Sequence, residues 1–201
     1  MTEDTASDPG SPTDAQVIEQ SLRSPEVFAT LFDRHAGAIY RYAAIRLGTN
    51  GADDVMSETF YLAFRGRRRY DLSRDNARPW LYGIATHVVS HRRRIEARHL
   101  RALSRTTEPI VHEAPDDAVA ERVSAQAARA ELATALIRLP RRYRDVLLLV
   151  VLADLDYAEA AAALDIPVGT VRSRLHRARQ TLRAELARRD PNSLGRRCRD
   201  G

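Results

Sequence analysis

The chain has 201 residues, 44% of them hydrophobic and 29% charged, a soluble globular balance that fits one domain or two small ones. Its longest apolar run, Val146 to Ala153, is far short of the ~20 residues a membrane span needs, the acidic N-terminus has no signal-peptide core, and one cysteine, Cys198, makes neither an intrachain disulfide nor a cysteine zinc site. The net charge of +5 points to a polyanionic partner and the whole composition to a cytoplasmic protein with no membrane insertion; all 32 basic residues are arginine, which codon bias explains, so their placement carries the information.

Helical periodicity dominates, and no segment alternates with period two. Residues 1–14 read as a disordered tail, acidic and bearing Ser, Pro and Gly. Thr13-Asp14-Ala15-Gln16 has the form of a capping box and starts a short helix. Ser24-Pro25 is a second start signal; the helix it opens carries Val27, Phe28, Leu31, Phe32, Ile39, Tyr42, Ala43 and Leu47 and stops at Gly48. A third helix is expected from Ala52, after Thr49-Asn50-Gly51. A polar stretch follows from Arg65 to Arg78, rich in turn formers, and Pro79 opens a helix to about Arg98. These helices, residues 15–98, make one module. Residues 99–117 form a linker with Pro109, Pro115 and Asp116-Asp117. The second module, 118–189, has an Ala-rich helix to Leu139, a helix opened by Pro140, another at Tyr157–Leu164 and a last one from Val171 to about Arg188. Residues 190–201 are a polar tail.

The second module ends in helix, short turn, helix. Ala161 is small where the two helices cross, and Ile166 and Val171 can plug the space between them, the pattern of a helix-turn-helix. Thr170 reads as the N-cap of the last helix, leaving its positive dipole end open to phosphate. On a helical wheel Val171, Leu175, Ala178 and Leu182 form the buried stripe, with Ser173, His176, Arg177 and Gln180 broadly opposite. Arg172, Arg179 and Arg183 line one flank and Arg174 the other. No acidic residue lies between Val171 and Arg183, whereas a solvated surface helix interleaves carboxylates at i,i+4. The pattern predicts DNA contact: the opposite face reaches base edges and the flanking arginines hold phosphates.

"LPRRYRDVLLLVVLADLDYAEAAAALDIPVGTVRSRLHRARQTLR" (139–183) closely resembles region four of bacterial extracytoplasmic-function (ECF) sigma factors. "ADDVMSETFYLAF" (52–64) resembles the family's region-two helix that grips the polymerase clamp, and "RPWLYGIATHVVSHRRR" (78–94) the helix that faces the −10 element. The resemblance covers about 15–188. It implies an all-α fold of two small helical domains, a region-two bundle and a region-four helix-turn-helix, joined by a flexible linker. It also implies an initiation subunit of RNA polymerase with no catalytic chemistry and no cofactor. Region four would bind the −35 element through Thr170, Arg172, Ser173, Arg174, His176, Arg177, Arg179 and Arg183, and pack on the beta flap. Region two would dock on the beta-prime clamp through Asp53, Asp54, Ser57 and Glu58. It would open the −10 duplex and capture a flipped base in the loop, with Asp71, Ser73, Arg74 and Asn76 as polar candidates. Thr86, His87, Ser90, Arg93 and Arg94 are the outward-facing −10 candidates of the following helix. An anti-sigma factor is the further partner that membership implies.

Plainer roles stand beside some of these. Asp53 and Asp54 also suit a helix N-terminus as simple charges, worth ~0.3–1 kcal/mol. Arg65, Arg67, Arg68 and Arg69 either support a DNA backbone or form a solvated helix end. Trp80, Phe60, Leu62 and Phe64 are assigned to the core, as are Leu81, Ile84, Val88 and Ile95. The chain departs from the family at Thr86-His87, where Arg-Asn is common, at Asp165, where glycine is usual, and at Ala160, which replaces a larger aliphatic. Enzyme motifs are missing: no phosphate-binding loop, no GxGxxG, no HExxH, and no ligand spacing among His35, His87, His91, His99, His112 and His176. The competing reading is a free-standing helix-turn-helix regulator with a helical sensing module.

Overall fold

The computed structural model describes residues 11–103, 132, 134–136 and 138–189, and among them every regular element is a helix. The expected tail 190–201 and residues 1–10 of the expected 1–14 tail lie outside the described residues, as do most of the 99–117 linker and most of the Ala-rich helix before Leu139; Asp14, counted in that tail, instead opens the first helix and is buried. The chain divides into two compact units, residues 1–89 and 90–201.

In the first unit, α1 (Asp14–Ser21) starts at a reciprocal capping box: Gln16 N donates to Thr13 Oγ1 at 3.3 Å, and Thr13 N to Gln16 Oε1 at 2.8 Å. Ser24 does not cap. Its side chain makes no capping bond, and Pro25–Phe28 form a 3₁₀ turn before α2 (Ala29–Leu47). α2 stops at Gly48, whose φ of 79° suits a residue without Cβ. That glycine already resets the chain direction, so α3 (Thr49–Gly66) starts at Thr49 rather than at Ala52. Gly51 then serves close approach: a Cβ there would lie 3.3 Å from Leu47 Cβ. After a 3₁₀ turn at Arg67–Arg69 and a loop comes α4 (Arg78–Leu103), whose residues up to Val89 belong to this unit.

The core follows helical spacing. α3 buries Ala52, Val55, Thr59, Phe60 and Ala63. Ala52 and Val55 pack with Ala43 of α2 and with Val88 and Val89 of α4. Edge-on aromatic pairs extend this core: Phe32–Phe60 at 4.9 Å, Phe28–Phe64 at 5.3 Å and Tyr42–Tyr82 at 5.3 Å between centroids. Trp80 is half-buried against Tyr70 at 4.9 Å. Two expected core residues lie elsewhere. Leu62 is 39% exposed and Ile95 51% exposed; each sits off the stripe that its helix turns inward.

In the second unit, α5 (Arg141–Val151) buries Val146, Leu147, Leu148 and Leu149, and packs against α6 (Tyr157–Leu164) and α7 (Val168–Arg189). Asp156 and Glu159 form a second capping box, with bonds of 2.7 and 2.9 Å, that starts α6. Asp165 takes the left-handed conformation at φ 50° in place of glycine. Ile166 N donates to the Ala161 carbonyl at 3.1 Å and closes the helix end. The turn therefore survives the substitution. Ala160 and Ala161 are both buried, small enough for α6 to cross closely.

Candidate nucleic-acid interface

α7 is built on Val171, Leu175 and Ala178, all essentially buried. Each buried Val or Leu contributes ~1.5–3 kcal/mol and fixes the helix's rotation. With that stripe inward, Arg172, Ser173, His176, Arg177, Arg179 and Arg183 are exposed, and Arg174 and Thr170 half-exposed. None of the five arginines of this surface forms an ion pair among the described residues. Thr170 is not the N-cap. The helix begins at Val168, so Thr170 stands in its first turn, its N–H donating to the Pro167 carbonyl at 2.8 Å and its carbonyl accepting from Ser173 Oγ at 3.1 Å.

A residue that the sequence pattern did not single out reaches this surface. Tyr143 of α5 places its phenol oxygen 3.5 Å from Arg177 Nη1 and 3.3 Å from Arg142 Nη2, and the Arg142 guanidinium lies 4.8 Å from the ring centroid. The Arg177 hydrogen bond, then that of Arg142, hold the phenol below its ordinary pKa. Its position 34 residues upstream of Arg177 hid the contact.

The structure corrects part of the outward face of α4. Thr86 is 4% exposed and Ser90 5% exposed. Thr86 Oγ1 lies 2.6 Å from Tyr42 Oη, which accepts from Arg46 Nη1 at 2.7 Å. A buried phenol and guanidinium need polar partners, and this network turns Thr86, with Ser90 one turn later, to the inside. The exposed stripe is His87, His91 and Arg94, with Arg93 half-buried. The helical wheel missed His91, although its i+4 spacing from His87 marks it.

Asp71, Ser73, Arg74 and Asn76 are all exposed, in a loop held by its own bonds. Asp71 accepts from Ser73 N (3.2 Å), Ser73 Oγ (2.7 Å) and Arg74 Nε (3.2 Å), and the Ser73 hydroxyl first among these holds the carboxyl below its ordinary pKa. Tyr70 Oη donates to the Arg74 carbonyl at 2.6 Å, and Arg78 N to Asn76 Oδ1 at 3.0 Å. Burial, then the charge of Asp14, push the Tyr70 phenol up to about 12. Leu72 stands exposed at the loop.

Arg67 takes the helix-end role among the four arginines around the end of α3. It stacks 3.8 Å from the Phe64 ring centroid and donates to the Phe64 carbonyl at 2.6 Å, while Arg65, Arg68 and Arg69 stay exposed. The outer face of α3 carries Asp53, Asp54 and Ser57, exposed, and Glu58, half-buried. Tyr61 and Leu62 continue it as exposed apolar neighbours, so the face is acidic at one end and apolar at the other.

The Sigma-70 region 2 family matches residues 31–99, and the Sigma-70, region 4 family residues 129–182. The chain is 36% identical over 158 residues to the ECF RNA polymerase sigma factor SigC of Mycobacterium tuberculosis, covering 78% of this chain and 80% of the relative. It is 30% identical over 172 residues to the ECF RNA polymerase sigma factor SigW of Bacillus subtilis, covering 80% and 89%. Among solved structures, CnrH in complex with the cytosolic domain of CnrY is similar with a TM-score of 0.62 at 26% identity, over 86% of this chain and 96% of that one. The sigma factor RpoE of Bartonella quintana, in complex with the anti-sigma factor NepR, shares the fold with a TM-score of 0.61 at 21% identity, over 79% and 96%.

Proposed function

The chain belongs to the ECF sigma factors of RNA polymerase, which direct transcription initiation, and on that premise we propose how its own residues divide the work. α7 enters the major groove of the −35 element. Ser173, His176 and Arg177 read base edges there, while Thr170, Arg172, Arg174, Arg179 and Arg183 hold phosphates. The single observation that carries this is the outer face of α7: exposed arginines without an ion pair among the described residues. Such a surface is stabilised by phosphates and by the counterions they release.

The loop at Asp71, Ser73, Arg74 and Asn76 receives an extruded −10 base, and the His87, His91, Arg93 and Arg94 face of α4 tracks the −10 strand. A flipped base needs a preformed polar pocket, and the internally bonded loop supports that role. His87 differs from the Asn common in the family, so a −10 preference of its own is expected. Asp53, Asp54, Ser57 and Glu58 dock on the beta-prime clamp, and the second unit packs on the beta flap. An anti-sigma factor is the regulatory partner, a reading supported by the complex in which the sigma factor RpoE was solved with the anti-sigma factor NepR. The chain contributes binding and DNA opening in the cytoplasm, and no catalysis of its own.

Run-off transcription on genomic fragments with core polymerase, followed by mapping of transcript starts, tests the reading. Starts that depend on this protein, preceded by shared −35 and −10 sequences, are expected. Their absence overturns it.

A further inference from the structure

Asp14 lies in the first turn of α1, outside every surface assigned above, yet it is 7% exposed and bonded to both α2 and the loop before α4. Its Oδ1 accepts from Arg34 Nη1 at 3.1 Å. Its Oδ2 accepts from His35 Nε2 at 2.7 Å and from the backbone N–H of Ala77 at 3.0 Å. Its own N–H donates to the Asp75 carbonyl at 3.1 Å. Arg34 is itself tied to the Pro12 carbonyl and Ser11 Oγ. The main chain on either side of Asn76 is therefore clamped by one residue, through its amide on one side and its carboxylate on the other. Asn76, between the clamped positions, is exposed.

We infer that Asp14 is a positioning residue for −10 base capture: it fixes the exit of the Tyr70–Ala77 loop and thereby the direction in which Asn76 and its neighbours face the extruded base. The inference rests on the reading that this loop takes the base. A pocket on a loop must be ordered before it discriminates, and a loop ordered only upon binding loses that ordering entropy from its affinity. Tyr70 holds the middle of the loop by its bond to Arg74, and Asp14 holds the end. Arg34 and His35 hold Asp14 from α2, so the pin is anchored on the helix bundle rather than on another loop.

The test uses full-length protein reconstituted with core polymerase. The probe is a labelled single strand carrying the non-template −10 sequence of a mapped promoter, compared with the same strand made abasic at each position in turn. The ratio of the two affinities reads base capture; the abasic strand alone reads backbone contacts. Asp14→Asn should lower the ratio at the captured position at least fivefold, with affinity for the abasic strand and for a −35 duplex unchanged. A ratio that stays intact, or equal losses on both strands, overturns the proposal. Asp71→Ala and Asn76→Ala separate the two layers. If they collapse the ratio and Asp14→Asn does not, only the positioning role fails; if they leave it intact, the loop reading fails and the positioning role with it. Where Asp14→Asn does not melt cooperatively, His35→Ala stands in, with a loss of at least threefold expected and no loss overturning the proposal.

Discussion

Two arginines two residues apart on α7 should fail in different ways. Arg177 is exposed, and its hydrogen bond to Tyr143 is 3.5 Å long, at the outer limit of such a bond. Arg179 is exposed and has no ion pair among the described residues. Neither supports the fold, so Arg177→Ala and Arg179→Ala should each change stability by no more than about 0.5 kcal/mol. Any effect on DNA is then an effect on contact. Arg177 lies broadly opposite the Val171–Leu175–Ala178 stripe, so its loss should remove a base contact. That is ~1–3 kcal/mol, or roughly 5- to 150-fold, of discrimination confined to one or two −35 positions. Arg179 lies on the flank, so its loss should weaken binding to every sequence alike. One phosphate contact fewer reduces the slope of log affinity against log salt by about 0.9. Over a fourfold rise in salt the variant would then lose about threefold less affinity than the parent. Fluorescence anisotropy of the holoenzyme on −35 duplexes, each base pair substituted in turn and each titrated with salt, separates the two. Changed discrimination in Arg179→Ala, or a changed salt slope with intact discrimination in Arg177→Ala, would refute the docking geometry.

Asp165 sits at φ 50°, where a side chain costs ~1 kcal/mol; Asp165→Gly should raise the stability of the second unit by about 0.5–1 kcal/mol, less the greater freedom glycine has when unfolded, as read by thermal melting. Leu175→Ala empties a buried site on α7 and should cost ~2–5 kcal/mol in the same assay, taking −35 binding with it. Burial pushes the Asp14 carboxyl up, but the hydrogen bond and charge of His35, the Ala77 N–H and Arg34 together hold it below its ordinary value of 3.8. A lowered carboxyl stabilises the fold above its unfolded pKa and ceases to do so as pH falls through its folded pKa, so stability should decline below about pH 4 and Asp14→Asn should flatten that decline in urea melts.

What could be read without the structure was local. The capping box at Thr13, the stop at Gly48, the turn at Asp165 and the Val171, Leu175 and Ala178 stripe of α7 each lie within one turn of the residues they organise, and each is where the pattern puts it, although Leu182, expected to continue that stripe, is half-buried. What could not be read depends on partners far along the chain. Thr86 looks like a polar surface residue until Tyr42, 44 positions earlier, is seen to need it. Tyr143 looks like one more residue of an amphipathic helix until α7 folds beside it, and Asp14 like an ordinary helix-start acid until Ala77 arrives 63 positions later. The early start of α3 is a different case: two glycines compete for the break, and only the positive φ of Gly48 shows which one makes it.

The same logic explains why the outer face of α7 stays positive although its unit is not short of acids. Six carboxylates lie between Leu139 and Arg189. Asp145 is buried and pairs with Arg141 at 3.3 Å. Asp154 and Asp165 occupy left-handed turn positions, where a short polar side chain is tolerated. Asp156 and Glu159 form the cap of α6. Glu185 lies beyond Arg183 and meets Arg138 at 3.7 Å and Arg188 at 3.1 Å. Each acid stands where the helix-turn-helix is built or closed, and none stands among the arginines from Arg172 to Arg183. A carboxylate moved there, for instance by Gln180→Glu, would keep the helix, since glutamate is as good a helix former as glutamine. It would stand one turn after His176 and Arg177 and one turn before Arg183, close enough to pair with each at i,i+3 or i,i+4. The unit would fold as before and release promoter DNA, and that separation of stability from binding is what a surface arranged for phosphate requires.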